Sequence, residues 1–186
     1  MNAFARIDKA AFYDFVQRQR GGRYEYVRGR IVQQMTGGTR GHGLVARRIA
    51  NIIERQLDQQ RWTVLQDRGV ETDVTIRYPD MVVEPADEPN TSLSTQRPRL
   101  VVEVLSPSTT ATDLDVKPAE YLSLASLDAY IVASQDETAC LVWARGSDGS
   151  FPTGPTEVSG RNGIITVSCG GVTLTIALGD VYQILG

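Results

Sequence analysis

The sequence predicts an α+β fold with α/β-like character, in which helices flank a mixed β-sheet core. Short apolar runs typical of strands outnumber the segments with helical spacing. One predicted helix, residues 113–124, lies between the apolar runs at 100–105 and 129–133, as expected for a crossover between strands of one sheet. No low-complexity linker divides the chain, so we expect a single domain over residues 1–186.

The first predicted elements are a helix, a β-hairpin and a long second helix. Asp8 is placed to cap a short amphipathic helix that ends at the glycine pair at 21–22. From Tyr24 onward, apolar and polar residues alternate, which predicts a hairpin that turns at Gly29. Apolar residues then recur at helical spacing over residues 42–59, the clearest helix in the sequence.

The rest of the chain is predicted to consist mainly of strands and loops. Strands are expected at residues 62–66, 70–76, 80–83, 100–105, 129–133, 139–144, 164–167 and 172–176. Residues 85–98 and 146–163 are rich in loop-forming residues and are predicted to be loops. The run at 106–109 ends the strand that contains Glu103, and Pro118 is expected in the first turn of the helix that follows.

The composition limits the classes of function. Lys and Arg number 19 against 22 Asp and Glu, a net charge of −3, which argues against a protein that coats nucleic acid without selectivity. Cys140 and Cys169 are far apart and lack a Cys-x-x-Cys spacing, so a reduced, cytoplasmic setting is the simpler expectation. No segment approaches the roughly 18 apolar residues of a membrane span, and we expect no membrane partner.

Two carboxylates on predicted strands indicate a divalent-cation site. Glu103 lies inside an apolar run, where an ionised side chain loses roughly several kcal/mol of hydration unless it is paired or binds a metal. Asp80 opens another apolar run earlier in the chain. If the two strands are neighbours, the carboxylates converge and can hold Mg²⁺, with water in its remaining positions. Lys117 on the next helix could then orient a water or stabilise charge on a phosphoryl oxygen.

Each of these residues also has a purely structural explanation. Asp80 could be a turn residue at the start of its strand, Glu103 an edge-strand residue that faces water, and Lys117 a solvated helix residue. Tyr121 fits core packing with its hydroxyl near the site. Glu25 alternates with two tyrosines, so an exposed strand face explains it as well as a metal-binding role does.

His42 is the only histidine and follows Gly41 at the start of the long helix. It could complete the turn, or it could assist substrate binding or proton transfer. Arg40, Arg47 and Arg48 are candidates for phosphate contacts at the start of this helix, although a solvated helix face is the more frequent explanation.

The residues of this site resemble a known family. The matching features are Pro79-Asp80, the run from Glu103 to Thr109, Asp113-Leu114 with Lys117 and Tyr121, Tyr24-Glu25 with Gly29, and His42. Together they resemble the Uma-two family of restriction endonuclease-like proteins, within the PD-(D/E)XK nuclease superfamily. The run Glu-Val-Leu-Ser-Pro-Ser-Thr is highly specific for that family, and the resemblance covers about residues 8 to 145.

The resemblance implies a restriction-endonuclease-like fold and a set of metal ligands. Asp80 and Glu103 would bind the metal, with the backbone carbonyl of Val104 as a third ligand. Glu25 would be the additional acidic catalytic residue that some members of the superfamily bring from an N-terminal element.

The catalytic lysine departs from the superfamily pattern. It ordinarily stands two residues after the glutamate, where this chain has Leu105, and the resemblance implies that Lys117 replaces it. Because Pro118 follows directly, we expect Lys117 to be pushed away from helical backbone angles.

The function implied by the resemblance is that of a divalent-metal-dependent endonuclease that hydrolyses DNA. The cofactor would be Mg²⁺, with Mn²⁺ as an acceptable substitute, and a homodimer would be the simplest means of cutting two strands. The alternative is a nuclease-like fold without turnover that serves as a nucleic-acid or protein interaction module. A weaker third hypothesis is hydrolysis of a smaller phosphoester.

Overall fold

The fold is taken from a computed structural model, which describes residues 6–34, 38–105 and 112–183. The helices are α1 Lys9–Arg18, α2 Arg40–Glu54, α3 Lys117–Tyr121 and α4 Leu178–Val181, and a π-helical turn, Thr112–Val116, precedes α3. The strands are β1 Arg23–Val27, β2 Arg30–Gln34, β3 Trp62–Leu65, β4 Gly69–Glu71, β5 Thr75–Arg77, β6 Met81–Pro85, β7 Ser94–Thr95, β8 Leu100–Val104, β9 Ala129–Ala133, β10 Ala139–Ala144, β11 Thr156–Ser159, β12 Ile164–Cys169 and β13 Val172–Ala177. Among the helices of these ranges, none is both long and apolar enough for a membrane span.

The largest sheet has six strands in the order β11-β10-β9-β8-β6-β3. Strands β8 and β9 run parallel, and the π-helical turn and α3 lie between them in the chain. The remaining neighbours pair antiparallel. The predicted mixed sheet is therefore confirmed, and the segment between β8 and β9 is the crossover that parallel pairing requires.

Strand β8 is buried on both faces of this sheet. Leu100, Val102 and Val104 pack into the core that α2, β12 and β13 cover. Val101 points to the other face, into a cluster with Tyr121 of α3. Because side chains alternate along a strand, Glu103 shares the face of Val101 and is directed toward α3.

A second sheet has the order β2-β1-β5-β4-β7. Helix α1 packs on one of its faces, where Phe12, Tyr26 and Ile76 form a small core. The Asp8 side chain accepts a hydrogen bond from the Ala11 N–H, so the predicted cap of this helix is confirmed.

Several predicted boundaries are wrong. The strand expected at 70–76 is two strands, β4 and β5, because the Thr72 hydroxyl accepts from the Thr75 N–H and reverses the chain. The loops expected at 85–98 and 146–163 contain β7, which pairs with β4, and β11, which pairs with β10. The helix expected at 113–124 begins as the π-helical turn and ends at Tyr121. Residues 106–109, expected to end β8, lie outside the described residues.

The turn between β12 and β13 provides a test of packing. Gly170 and Gly171 both have positive φ, but a Cβ at Gly170 would clash with the Trp62 ring, whereas a Cβ at Gly171 would meet nothing within 4 Å. We expect Gly171→Ala to lower the free energy of unfolding by about 1–2 kcal/mol, the cost of a left-handed backbone for alanine. Gly170→Ala should cost about 1–3 kcal/mol more, because the ring must move.

Urea denaturation of the two variants measures this difference. Equal losses for both variants would show that the Trp62 contact contributes nothing.

Candidate functional site

Asp80 and Glu103 occupy neighbouring positions in the large sheet. Strands β6 and β8 pair antiparallel with Met81 opposite Val102, and Asp80 and Glu103 are the next residues of the chain beyond this pair. The Asp80 Oδ2 atom accepts a hydrogen bond of 2.7 Å from the Val104 N–H. The expectation that the two carboxylate-bearing strands are neighbours is therefore confirmed.

Glu103 is buried and ion-paired. Its Oε1 atom accepts from the Lys117 ammonium at 2.6 Å and from the Tyr121 hydroxyl at 3.1 Å. Burial disfavours an ionised carboxylate, and the ammonium supplies the compensating charge. Because β8 lies between β6 and β9, the interpretation of Glu103 as a water-facing edge residue is wrong.

Helix α3 presents Lys117 and Tyr121, four residues apart, to the same carboxylate oxygen. Tyr121 is completely buried. Burial, reinforced by the negative charge of Glu103, raises the pKa of Tyr121 well above its usual value. The hydroxyl therefore acts here as a hydrogen-bond donor and retains its proton.

The expectation that Pro118 would push Lys117 out of a helical conformation is wrong. Lys117 is the first residue of α3, and Pro118 occupies the first turn, where its missing N–H costs nothing. The interpretation of Lys117 as a solvated residue is also wrong, since the side chain is buried against Glu103.

His42 lies in the first turn of α2, where the Thr39 side chain accepts a hydrogen bond from its backbone N–H. Its Nε2 atom is 3.2 Å from Asp80 Oδ2, and both side chains are largely but not completely buried. The hydrogen bond to Asp80 raises the pKa of His42 above its ordinary value, partial burial opposes the shift, and Glu103 and the Val104 carbonyl add to it. The structure thus brings together His42, Asp80 and the Val104 carbonyl.

Glu25 is buried in a separate ionic network. It accepts from Arg77 Nη1 at 2.7 Å and from Gln34 Nε2 at 2.5 Å. Arg77 in turn donates to both carboxylate oxygens of Glu120, at 2.8 and 2.9 Å. The interpretation of Glu25 as an exposed strand residue is wrong, and its carboxylate is directed to Arg77.

The sequence patterns did not identify Arg77 and Glu120 as members of the site. The available signals were weak: Arg77 is a charged residue at the end of β5, three residues before Asp80, and Glu120 follows Lys117 by three residues on the same helix. The sequence position of neither residue indicates which side chain neutralises its charge. The pairing spans 43 residues of sequence.

The arginines of α2 differ in environment. Arg40 and Arg47 are exposed. Arg48 Nη1 donates to the Val181 carbonyl at 2.9 Å and so ties α2 to α4. Arg48 therefore has a structural contact that explains its position.

The donor set fits a hard cation that keeps water ligands. Within the described ranges, no three His, Cys, Asp or Glu side chains are grouped so as to hold a metal ion by themselves. Asp80, Glu103 and the Val104 carbonyl offer oxygen ligands, and Mg²⁺ commonly takes only one or two carboxylates and completes its octahedron with water and substrate. The side chain of Asp113, part of the family resemblance, lies outside the described residues.

Comparisons with known proteins show similarity to one family and to a solved structure. The profile of the Uma2 family, described as "Putative restriction endonuclease", matches residues 10–177. An uncharacterized protein of Synechocystis sp. is 29% identical over 153 residues, which cover 80% of this chain and 79% of that protein. The crystal structure of "a putative nuclease belonging to DUF820" from Anabaena variabilis superimposes with a TM-score of 0.73 at 15% identity, covering 94% of this chain and 98% of that one. The predicted restriction-endonuclease-like fold is confirmed.

Removal of the buried guanidinium should be severely destabilising. Arg77→Met leaves Glu25 and Glu120 buried without their cation, and we expect the free energy of unfolding to fall by about 3–5 kcal/mol. Arg97→Met, a matched control whose ion pairs with Asp87 and Glu88 lie at the surface, should leave the free energy of unfolding almost unchanged. Chemical denaturation of both variants gives the comparison.

An Arg77→Met variant as stable as the wild type at neutral pH would contradict the assigned network.

The single histidine allows a direct test of the Asp80 contact. In metal-free protein, an NMR titration should show a His42 pKa above 6.5, and Asp80→Asn should bring it down. A raised folded-state pKa stabilises the protein below the unfolded value near 6.5, and this stability is lost as the pH rises through the folded pKa. The stability gap between wild type and His42→Gln should therefore narrow over that window. An unshifted His42 in the wild type would show that the contact does not form.

Proposed function

This chain belongs to the Uma2 family, and from that membership and the geometry of the site we propose that it is a divalent-metal-dependent endonuclease that hydrolyses DNA phosphodiester bonds. The observation that carries the proposal is the pairing of β6 with β8, which sets Asp80 beside Glu103, with Lys117 on the Glu103 carboxylate. This arrangement combines oxygen ligands for a cation with a fixed positive charge.

Asp80, Glu103 and the Val104 carbonyl would hold Mg²⁺ or Mn²⁺. The bound cation would lower the pKa of a water and offset charge on the phosphoryl oxygens. Asp80 is partly accessible, and its link to the Val104 N–H fixes the orientation of its carboxylate. A fixed carboxylate costs little reorganisation when it binds a cation.

Lys117 supplies the catalytic charge. Its ammonium is held at Glu103 by a contact of 2.6 Å, and it would orient the attacking water or stabilise a phosphoryl oxygen. Tyr121 donates to the same Glu103 oxygen and limits the positions that this carboxylate can adopt. His42, next to Asp80, would donate a proton or a hydrogen bond to a substrate oxygen.

Glu25 would act through α3. Its contact with Arg77, and that of Arg77 with Glu120, link strand β1 to the helix that carries Lys117. We therefore assign Glu25 a positioning role in the catalytic site. DNA as the substrate and a homodimer as the working form are part of the same proposal, because two related sites cut two strands most simply.

The second candidate function is a nuclease-like interaction module without turnover. The observation that favours it is the Lys117–Glu103 ion pair, since a cation must share this carboxylate with an ammonium already bound to it. Metal binding without cleavage would identify this case. Binding is readable in His42, whose pKa should fall when a cation competes for Asp80.

Cleavage of supercoiled plasmid with Mg²⁺ or Mn²⁺ tests the proposed activity. We expect Asp80→Ala, Glu103→Ala and Lys117→Ala each to lower the rate about 100-fold or more, because each removes a metal ligand or a charge that stabilises the transition state. Glu157→Ala, which removes an exposed carboxylate on β11, should cleave at the wild-type rate.

Loss in the two carboxylate variants alone would remove Lys117 from the mechanism. A wild type that shifts the His42 pKa on metal addition but cuts neither plasmid nor single-stranded DNA would favour the interaction module.

A further inference from the structure

The charges of this chain are divided unevenly along the sequence. Residues 1–50 contain 10 Lys and Arg against 3 Asp and Glu, whereas residues 51–186 contain 9 against 19. The small net charge thus conceals a basic N-terminal part, which includes α1, the β1–β2 hairpin and most of α2. The excess of positive charge in this part of the chain would attract a polyanion.

The hairpin places an arginine on the same face as the buried ionic network. Glu25 pairs with Val32 and Val27 with Arg30, and residues directly opposite in an antiparallel pair lie on one face of the sheet. Glu25 reaches Arg77 on this face, and Arg77 reaches Glu120 of α3. Arg30 therefore lies on the face directed toward the helix that carries Lys117.

This face is open to solvent beyond Glu25. Val32 is 39% exposed and Arg30 is exposed, although the opposite face of the same sheet is covered by α1. An exposed valine beside an arginine offers an apolar and cationic surface that nothing in the described part of the chain covers. Sugar and phosphate groups of a nucleic acid match both components.

The tip of the hairpin exposes a second arginine in an unusual conformation. Arg28 has φ 49° and Gly29 has φ 88°, the pattern of a tight hairpin turn in which Asn, Asp or Gly usually occupies the first position. An arginine at positive φ carries a backbone cost that these residues avoid. Its backbone N–H donates to the Val74 carbonyl at 2.8 Å, so the turn is anchored while the side chain is exposed.

Arg28 and Arg30, which we call the hairpin arginines, differ from the arginines used inside the fold. Arg68 and Arg77 each form a buried ion pair. Over the described ranges, the hairpin arginines form no ion pair with a carboxylate of this chain. Within the described part of the chain, two exposed charges without an ion-pair partner therefore lie on the hairpin that carries Glu25.

We propose that the hairpin arginines and the Val32 face bind the DNA backbone. The inference rests on the proposed function for its choice of DNA as the ligand. Arg28 and Arg30 each contact a phosphate of the duplex. The contacts are to phosphate, so they add affinity equally for all sequences.

The salt dependence of binding tests the proposal without any cleavage. A short labelled DNA duplex is titrated with protein in buffer containing a chelator, and its fluorescence anisotropy is recorded between about 50 and 200 mM salt. Each phosphate contact contributes about 0.9 to the slope of log affinity against log salt, which is roughly threefold in affinity over this range. The double variant Arg28→Gln/Arg30→Gln should therefore lose about tenfold less affinity over this range than the wild type.

Two further variants serve as controls. Arg161→Gln removes an exposed arginine from the turn before β12, outside the basic part of the chain, and should bind with the wild-type slope. Arg28→Lys/Arg30→Lys keeps both charges and should retain most of the slope. Circular dichroism of each variant verifies that these exposed substitutions leave the fold intact.

The outcomes distinguish this inference from the proposed function. A wild-type slope in the double glutamine variant, or an equal loss in Arg161→Gln, overturns the assignment of the hairpin even if the protein cleaves DNA. Wild-type protein that binds no duplex at low salt also overturns it. Binding that depends on the hairpin arginines, in a protein that cuts nothing, supports the inference and contradicts the nuclease proposal.

Discussion

The arrangement of the candidate site depends on one buried guanidinium. Arg77 donates to Glu25 on β1 and to both oxygens of Glu120 on α3, and all three side chains are nearly inaccessible to water. Helix α3 has only five residues, too few to be stable by itself, so tertiary contacts must hold it in place. The two hydrogen bonds from Arg77 to Glu120 fix the orientation of the Glu120 carboxylate on α3, in addition to neutralising its charge. The placement of Lys117 on Glu103 follows from that of its helix.

The two carboxylates of the proposed metal site have different environments because they lie at different depths. Glu103 is in the middle of the large sheet, buried on both sides, and its charge is balanced by Lys117. Asp80 stands before the first residue of β6, at the margin, where His42 of α2 reaches it. A cation would therefore approach through Asp80, while Glu103 holds the lysine. Asp80 would thus be the more accessible ligand, whereas Glu103 is held by both Lys117 and Tyr121.

Much of the fold could be predicted because its signals are local. The capped first helix, the hairpin at Gly29 and the strands β9 and β10 follow from periodicity and turn residues. The elements that were predicted wrongly depend on contacts that their own sequence pattern does not show. The reversal at Thr72, which divides a predicted strand, depends on a side-chain hydrogen bond, and β11 is a strand because it pairs with β10. Lys117 is helical although Pro118 follows it, because a proline in the first turn of a helix gives up no intrahelical hydrogen bond.

The sequence alone was sufficient to predict the family and to single out Asp80 and Glu103 as candidate site residues. An acidic residue within an apolar run requires a partner wherever the strand is placed, and Glu103 carries that information in its immediate neighbours. Only the tertiary structure decided which partner each charge has. Arg77 with Glu120, Glu25 with Arg77, and Lys117 with Glu103 are separated by 43, 52 and 14 residues. Such pairs form when sheets and helices pack together, and electrostatic attraction between distant residues leaves no periodic signal along the chain.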